Sequence, residues 1–365
     1  MRPRTALLGG LAGLAFVVGA VEVSLRVSDH VPFRRSLAWK FARDRDRAGR
    51  DQPRFGFVSF DPRLGYRLEP GSYDLAVGET KTKVDITEQG LREARTYPPA
   101  DAPDGRSGAQ RIATVGCSFT FGFGVEESET WSAQLEERLD ETDVINLGVL
   151  GYGQDQSLLR LQEDGPWNDA GVLVLGLVAR TSVRNLAAVS PFSGVAFPKP
   201  RFVLEDDGMT LLDSLPTDSF DATRYDEHGL PMDGWARAGT YSRTLDAILA
   251  PSPEAIHEQE VGMHELTARL LTEMSDTLEQ KQGRFVVLYM PERRRIVEDR
   301  AQAGARDPLV RLLSDRGMEI VDPSAELAEW LTDHDEAELF AADGQHPGVA
   351  YHDIAARKLA AALEP

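Results

Sequence analysis

Ser118 stands in the run Arg111-Ile112-Ala113-Thr114-Val115-Gly116-Cys117-Ser118-Phe119-Thr120-Phe121-Gly122, where a short apolar stretch ends in glycine. Far along the chain comes Asp343-Gly344-Gln345-His346-Pro347. A serine hydroxyl is a weak nucleophile until a base takes its proton, and an imidazole is the better base when a carboxylate fixes its tautomer. Ser118, His346 and Asp343 supply those three groups. The chemistry they suit is attack on a carbonyl carbon followed by acyl transfer. Cys117 is a rival nucleophile, because a thiol is more reactive than a hydroxyl at neutral pH. As neighbours, Cys117 and Ser118 should point in different directions, and the apolar strand turns Cys117 inward. Metal-assisted hydrolysis has less support. The seven histidines, at positions 30, 228, 257, 264, 334, 346 and 352, form no His-Glu-x-x-His pattern, so neither a metal nor a cofactor is expected.

These residues need elements to bring them together. Ile112 to Val115 predicts a buried strand, and Ser118 follows it directly. Trp131, Leu135 and Leu139 at helical spacing predict a helix over Glu129 to Leu139. Val144 to Gly148 predicts a second strand, Asp155 to Gln162 a helix, and Gly171 to Val178 a third strand. A long helix is expected over Ala255 to Gln282, then strand four over Arg284 to Tyr289. A helix over Pro308 to Asp315, strand five over Met318 to Val321 and helices over Ala325 to Trp330 and Val349 to Leu363 complete the series. Alternating units of this length predict an α/β class with a five-stranded parallel sheet between helices, a three-layer α/β/α arrangement. In such sheets ligands bind beyond the carboxyl ends of the strands, where Ser118 falls.

Residues 187–255 interrupt the series with many Pro, Gly and Asp residues. They read as an insertion carrying a hairpin, Arg201 to Leu204 and Met209 to Leu212, around Asp207-Gly208. Residues 27–110 read as a linker and lead-in. Asp61-Pro62-Arg63-Leu64-Gly65-Tyr66-Arg67-Leu68 and Thr82 to Ile86 read as short extended pieces, the Arg-rich 40–54 as a juxtamembrane linker or helix end, and Pro98 to Gly108 as a surface loop. Before this, Arg2 and Arg4 precede an apolar run from Ala6 to Val21. Residues 1–26 therefore read as a membrane anchor in preference to a cleaved signal, with the two arginines cytoplasmic and the main domain, 111–365, outside the cytoplasm in the periplasm or at the cell surface. The formal net charge of −19 disfavours nucleic acid as a partner. A single cysteine excludes an intramolecular disulfide. Nothing in the sequence specifies the oligomeric state.

The segment Ile112 to Val125 resembles the first conserved block of the SGNH (GDSL-type) hydrolases, with Gly116-Cys117-Ser118 where that family usually has Gly-Asp-Ser. Asn146 to Gly153 is similar to its second block, and Asp343-Gly344-Gln345-His346-Pro347 to its fifth. Membrane-anchored bacterial members also carry Asp-Pro-x-Leu-Gly-Tyr-Arg-Leu and Gly-Leu-Arg before the first block, as at Asp61 to Leu68 and Gly90-Leu91-Arg92. The resemblance spans about residues 55–365. It implies a flavodoxin-like SGNH fold and a serine esterase with Ser118 as nucleophile, His346 as base and Asp343 as its orienting carboxylate. It also implies that the N–H groups of Ser118 and Gly151 hold the oxyanion. The third block departs from the family. Where an Asn oxyanion donor is expected after strand three, alignment on Gly176 and Asn185 puts Arg180, followed by Thr181.

Small acyl esters are the implied substrates, with O-acetyl groups on cell-envelope sugars or lipids among the candidates. Two alternatives stay open on sequence alone. One is a catalytically impaired SGNH-like protein that binds an envelope polymer or partner, for which Arg180 is the main support. The other is an O-acyltransferase. The related alginate-type transferases place Asp-x-His before the serine segment, and here Asp-x-x-His follows it, which favours the hydrolase.

Overall fold

The structure, a computed structural model, describes residues 16–24, 35–36, 38, 40, 56–78, 80–93, 97, 110–192, 195–206, 208–214, 221–240 and 251–364. Two antiparallel hairpins come first: β1 (Val58–Asp61) with β2 (Gly65–Leu68), and β3 (Gly71–Val77) with β4 (Thr80–Ile86). Then β5 (Gln110–Gly116) leads into a one-turn helix, α1 (Ser118–Phe121), and on to α2 (Trp131–Arg138), β6 (Thr142–Asn146), α3 (Gln154–Leu161) and β7 (Val172–Leu177). The insertion contributes two more hairpins, β8 (Val189–Phe192) with β9 (Val195–Pro198) and β10 (Arg201–Glu205) with β11 (Gly208–Leu212). The chain returns through α4 (Pro253–Glu279), β12 (Arg284–Tyr289), α5 (Arg293–Asp299), α6 (Pro308–Asp315), β13 (Ile320–Val321), α7 (Ser324–Trp330) and α8 (Val349–Leu363).

The five central strands pair in parallel in the order β13-β12-β7-β5-β6. In sequence terms that is 2-1-3-4-5 read from the other edge, the doubly wound order with its switch point beside the first strand. The physical basis is alternation. Successive side chains of a strand face opposite sides of the sheet. Ala113, Val115, Ile145, Leu173, Leu175 and Val287 pack with Leu158 of α3, Leu266 and Leu270 of α4 and Leu309 of α6. Ile112, Val144, Val172, Val174, Val286 and Leu288 pack with Trp131 and Leu135 of α2 and Ile354 and Leu359 of α8. A central strand covered on both faces reads as a near-continuous apolar run, as β7 does.

Some boundaries differ from the sequence expectation for local reasons. The helix expected from Glu129 starts at Trp131, because Thr130 caps it by accepting from Ala133 N (3.2 Å), and a 3₁₀ turn over Glu127–Glu129 precedes it. Strand five shortens to Ile320–Val321, since only Val287 and Leu288 of β12 pair with it. The lead-in is built into the molecule: Leu64, Tyr66 and Leu68 of the first hairpin and Leu75, Val77, Val84 and Ile86 of the second join the α3–α4 side of the core.

Among the described residues no helix is long and apolar enough to cross a membrane. Residues 16–24 are helical and mostly exposed. Residues 1–15, which include most of the expected span and both arginines, lie outside the described residues. So do Asp207 at the expected hairpin turn, the expected loop at 98–108, and the Arg-rich 40–54 apart from Lys40.

Candidate active site

Three strand ends and one late turn build the site. The end of β5 delivers Ser118 as the first residue of α1. Its neighbour Cys117 is 3% exposed and packs in the α2–α8 side of the core, as its apolar setting suggests. The buried Arg92 guanidinium holds this segment from below. It donates to the carbonyls of Phe121 (2.7 Å), Gly122 and Val125 (2.5 Å), which satisfies oxygens that a one-turn helix leaves without intrahelical partners.

The turn before α8 delivers His346 and Asp343. One Asp343 oxygen, Oδ1, accepts from the backbone N–H groups of Gln345 (2.9 Å) and His346 (3.0 Å), so the carboxylate folds the turn that carries its own partner. The other oxygen, Oδ2, lies 2.5 Å from His346 Nδ1. His346 Nε2 lies 2.9 Å from Ser118 Oγ. With Nδ1–H donating to the carboxylate, Nε2 carries the lone pair and the Ser118 hydroxyl donates to it. Phe123 and Phe119 flank the imidazole, with ring centroids at 4.5 and 5.5 Å. Burial raises the pKa of Asp343, but the hydrogen bonds from the His346 ring and from the two backbone N–H groups outweigh it and hold the carboxyl at about 2. Asp343 is thus an anion at any pH where the chain would work.

The end of β6 brings in the loop from Leu147 to Gly151. It lies directly on α1: a Cβ added to Gly148 would stand 2.5 Å from Phe121 N. Val149 N also donates to Gly116 O at the end of β5 (3.1 Å). Gly151 has φ +79°, a conformation that side-chain-bearing residues rarely adopt. Among the described residues no acceptor takes the N–H of Ser118 or of Gly151.

The end of β7 brings in Arg180, on the 3₁₀ stretch Ala179–Leu186. Leu177 is in register with Tyr289 of β12, so Arg180 and Glu292, three residues beyond each, share the same sheet edge. Arg180 Nε pairs there with the Glu292 carboxylate, and 53% of the arginine side chain stays exposed. Asn185 is fully buried and committed to structure. Its Oδ1 accepts from Gln154 N (2.9 Å) and Asp155 N (3.2 Å) at the start of α3, and its Nδ2 donates to Gln154 Oε1 and Thr267 Oγ1 (2.9 Å each). Among the described residues no cluster of His, Cys, Asp or Glu could hold a metal ion. Sequence reading missed Glu292 as the partner of Arg180. The two are 112 positions apart in the chain, and only strand register joins them.

No protein-family model matches the chain, and no curated protein does. Solved structures are similar to it at low identity. LAE5, an alpha/beta hydrolase enzyme from the metagenome of Lake Arreo, is 17% identical over 73% of this chain and 97% of its own, with a TM-score of 0.39. A member of the lipolytic G-D-S-L family from Veillonella parvula is 12% identical over 70% of this chain and 98% of its own, with a TM-score of 0.34. A catalytic mutant of Axe2, an acetylxylan esterase from Geobacillus stearothermophilus, is 16% identical over 68% and 92%, with a TM-score of 0.38. These likenesses are distant.

Proposed function

We propose that the protein is a serine ester hydrolase of the SGNH type. The observation that supports this most is the continuous Ser118–His346–Asp343 relay, 2.9 and 2.5 Å long at its two links, assembled from segments 228 positions apart. In this reading His346 Nε2 takes the Ser118 proton as Oγ bonds to the ester carbonyl carbon. The carbonyl π electrons move onto oxygen, and the N–H groups of Ser118 and Gly151 stabilise that oxyanion. Collapse expels the alcohol, which leaves with the proton from His346. Water then attacks the acyl-enzyme with His346 again as base, releasing the acid and restoring Ser118. Asp343 keeps Nδ1–H in place and stabilises the imidazolium.

Arg180 enters this scheme as a partner of Glu292 at the rim rather than as a third oxyanion donor. Two N–H donors are enough for acyl transfer, and losing a third typically costs about 10²–10³ in rate. Substrates in this proposal are small acyl esters, with O-acetyl groups of envelope sugars or lipids as the class to try first. The membrane-anchored, extracytoplasmic placement belongs to the same proposal and rests on the sequence of residues 1–26 alone.

The test uses a fluorophosphonate probe, which forms a covalent adduct with an activated serine. Wild-type protein is expected to label and to hydrolyse p-nitrophenyl acetate, and Ser118→Ala to do neither. A folded wild-type protein that neither labels nor turns over would sink the esterase and leave the impaired binding protein. Acetyl transfer to a sugar acceptor that outpaces hydrolysis would move the assignment to an acyltransferase.

A further inference from the structure

The lead-in motif Asp61 to Leu68 has no role in the relay, yet it reaches the oxyanion loop. Asp61 Oδ1 accepts from Arg63 N (2.8 Å) and Leu64 N (2.9 Å), and its Oδ2 accepts from Arg67 Nε (2.6 Å). That turn sets the β1–β2 hairpin and buries Tyr66 completely. The Tyr66 hydroxyl then donates to the carbonyl of Leu150 (2.5 Å). Tyr152 returns the contact by donating to the Tyr66 carbonyl (2.5 Å). The Tyr66 ring packs edge-on against Tyr152 at 5.2 Å and at a tilt against Phe197 of the insertion at 5.1 Å.

The Leu150 carbonyl and the Gly151 N–H belong to one peptide unit. That unit is planar and trans, so its C=O and N–H point in opposite directions. Whatever holds the oxygen therefore aims the hydrogen. The need for a hold is specific here. With Gly151 in the left-handed region, no Cβ hinders rotation of the peptide before it. A flip would turn the N–H toward Tyr66 and the carbonyl toward the oxyanion position, where it would repel the developing charge. Burial pushes the Tyr66 phenol well above its ordinary pKa, so it keeps the proton it donates. A donor on the carbonyl also polarises the peptide and strengthens its N–H as a donor in turn.

We infer that Tyr66 is a positioning residue for ester hydrolysis, holding the Leu150–Gly151 peptide so that the Gly151 N–H is aimed and polarised toward the oxyanion. The inference rests on the esterase reading. In that reading the lead-in is the part of the machinery that preorganises one of two oxyanion donors.

The test compares wild type, Tyr66→Phe and Tyr73→Phe in steady-state hydrolysis of p-nitrophenyl acetate, with thermal unfolding of each. Tyr66→Phe keeps the ring and removes only the hydroxyl. Its kcat is expected to fall about 10-fold to 100-fold with KM within about twofold, the signature of an interaction made in the transition state. Affinity for a boronic acid, whose serine adduct is tetrahedral, should weaken by a similar factor. Tyr73→Phe is the control: its hydroxyl donates to Glu69 and Pro70 carbonyls (3.1 Å each) in the same lead-in, away from the site, and kcat should stay within about twofold. An unchanged kcat in Tyr66→Phe, or an equal loss in Tyr73→Phe, overturns the inference. If Tyr66→Phe does not fold, 3,5-difluorotyrosine at position 66 replaces it. The more acidic phenol is the stronger donor, so kcat should rise about twofold, and an unchanged or lower value overturns the inference. Wild-type protein without turnover or labelling overturns the esterase reading and this inference together, whereas an active wild type separates them.

Discussion

Asp343 carries two loads at once. One oxygen folds the turn and the other orients His346, so its substitution should act on rate and on stability by different routes. Asp343→Asn is expected to lower kcat by about 10⁴, because an amide in that place stabilises the wrong imidazole tautomer. Single-turnover acylation followed by release of p-nitrophenol would measure it, and a loss under tenfold would remove Asp343 from the relay. The stability effect has a defined sign. The folded pKa of about 2 lies below the ordinary carboxylate value of roughly 4. The carboxylate therefore stabilises the fold fully above about pH 4 and loses that contribution as pH falls from 4 through 2. Urea denaturation of wild type and Asp343→Asn should show a stability gap that closes over that window. A gap independent of pH would contradict the assignment. At this scale the sequence was informative. Ser118, His346 and Asp343 were legible as candidates because a serine just after a strand and an Asp-x-x-His before the last helix suit one chemistry. Arg180 was legible only as a departure, and its pairing with Glu292 was not, because ion pairs between strand ends leave no mark in local spacing.

At the scale of elements, the loops at the strand ends depend on side chains from outside the sheet. The start of α3 shows how. Asn185 satisfies its first N–H groups, and next to it Asp155, fully buried, pairs with Lys199 from the segment after β9. Burial pulls the Lys199 pKa down while Asp155 pulls it back up, so the pair survives only as a pair. Removing one partner leaves a charge without compensation in the interior. Lys199→Ala is expected to destabilise the protein by about 3–5 kcal/mol, read as a lower urea midpoint. A change under about 1 kcal/mol would show that Asp155 takes up a proton or water at little cost. The insertion is thus fastened to the start of α3, which begins three residues after Gly151. Sequence pattern placed the five strands and the long helices well, because apolar periodicity is local. It gave no sign that the β1–β2 hairpin holds the loop after β6 or that the insertion pins the start of α3.

Over the whole molecule, a single buried histidine links distant parts of the chain to pH. His352 of α8 is fully buried, and its Nδ1 accepts from Trp131 N at the start of α2 (3.1 Å). Burial, with Arg92 and His346 nearby, pushes its pKa down to about 3. The folded value lies below the unfolded value of about 6.5, so the unfolded chain binds the proton first as pH falls. Its contribution to stability is complete above about 6.5 and declines from there toward 3. His352→Asn keeps an acceptor for Trp131 N but cannot be charged. The unfolding free energy of wild type should therefore fall more steeply than that of the variant between pH 6.5 and 4. Parallel curves would refute the burial argument.

By itself the sequence singled out Ser118, His346 and Asp343 as candidates and determined the alternation of strands and helices, because residue types and local patterns carry both. Only the tertiary structure decided how these meet. The 2.9 Å contact between Ser118 and His346 joins the end of β5 to the turn before α8, two segments remote in the chain that packing brings together. The Tyr66 hold on the Leu150 carbonyl and the commitment of Arg180 to Glu292 arise in the same way. They are contacts between side chains remote in sequence, and chain packing alone sets which of them come within reach.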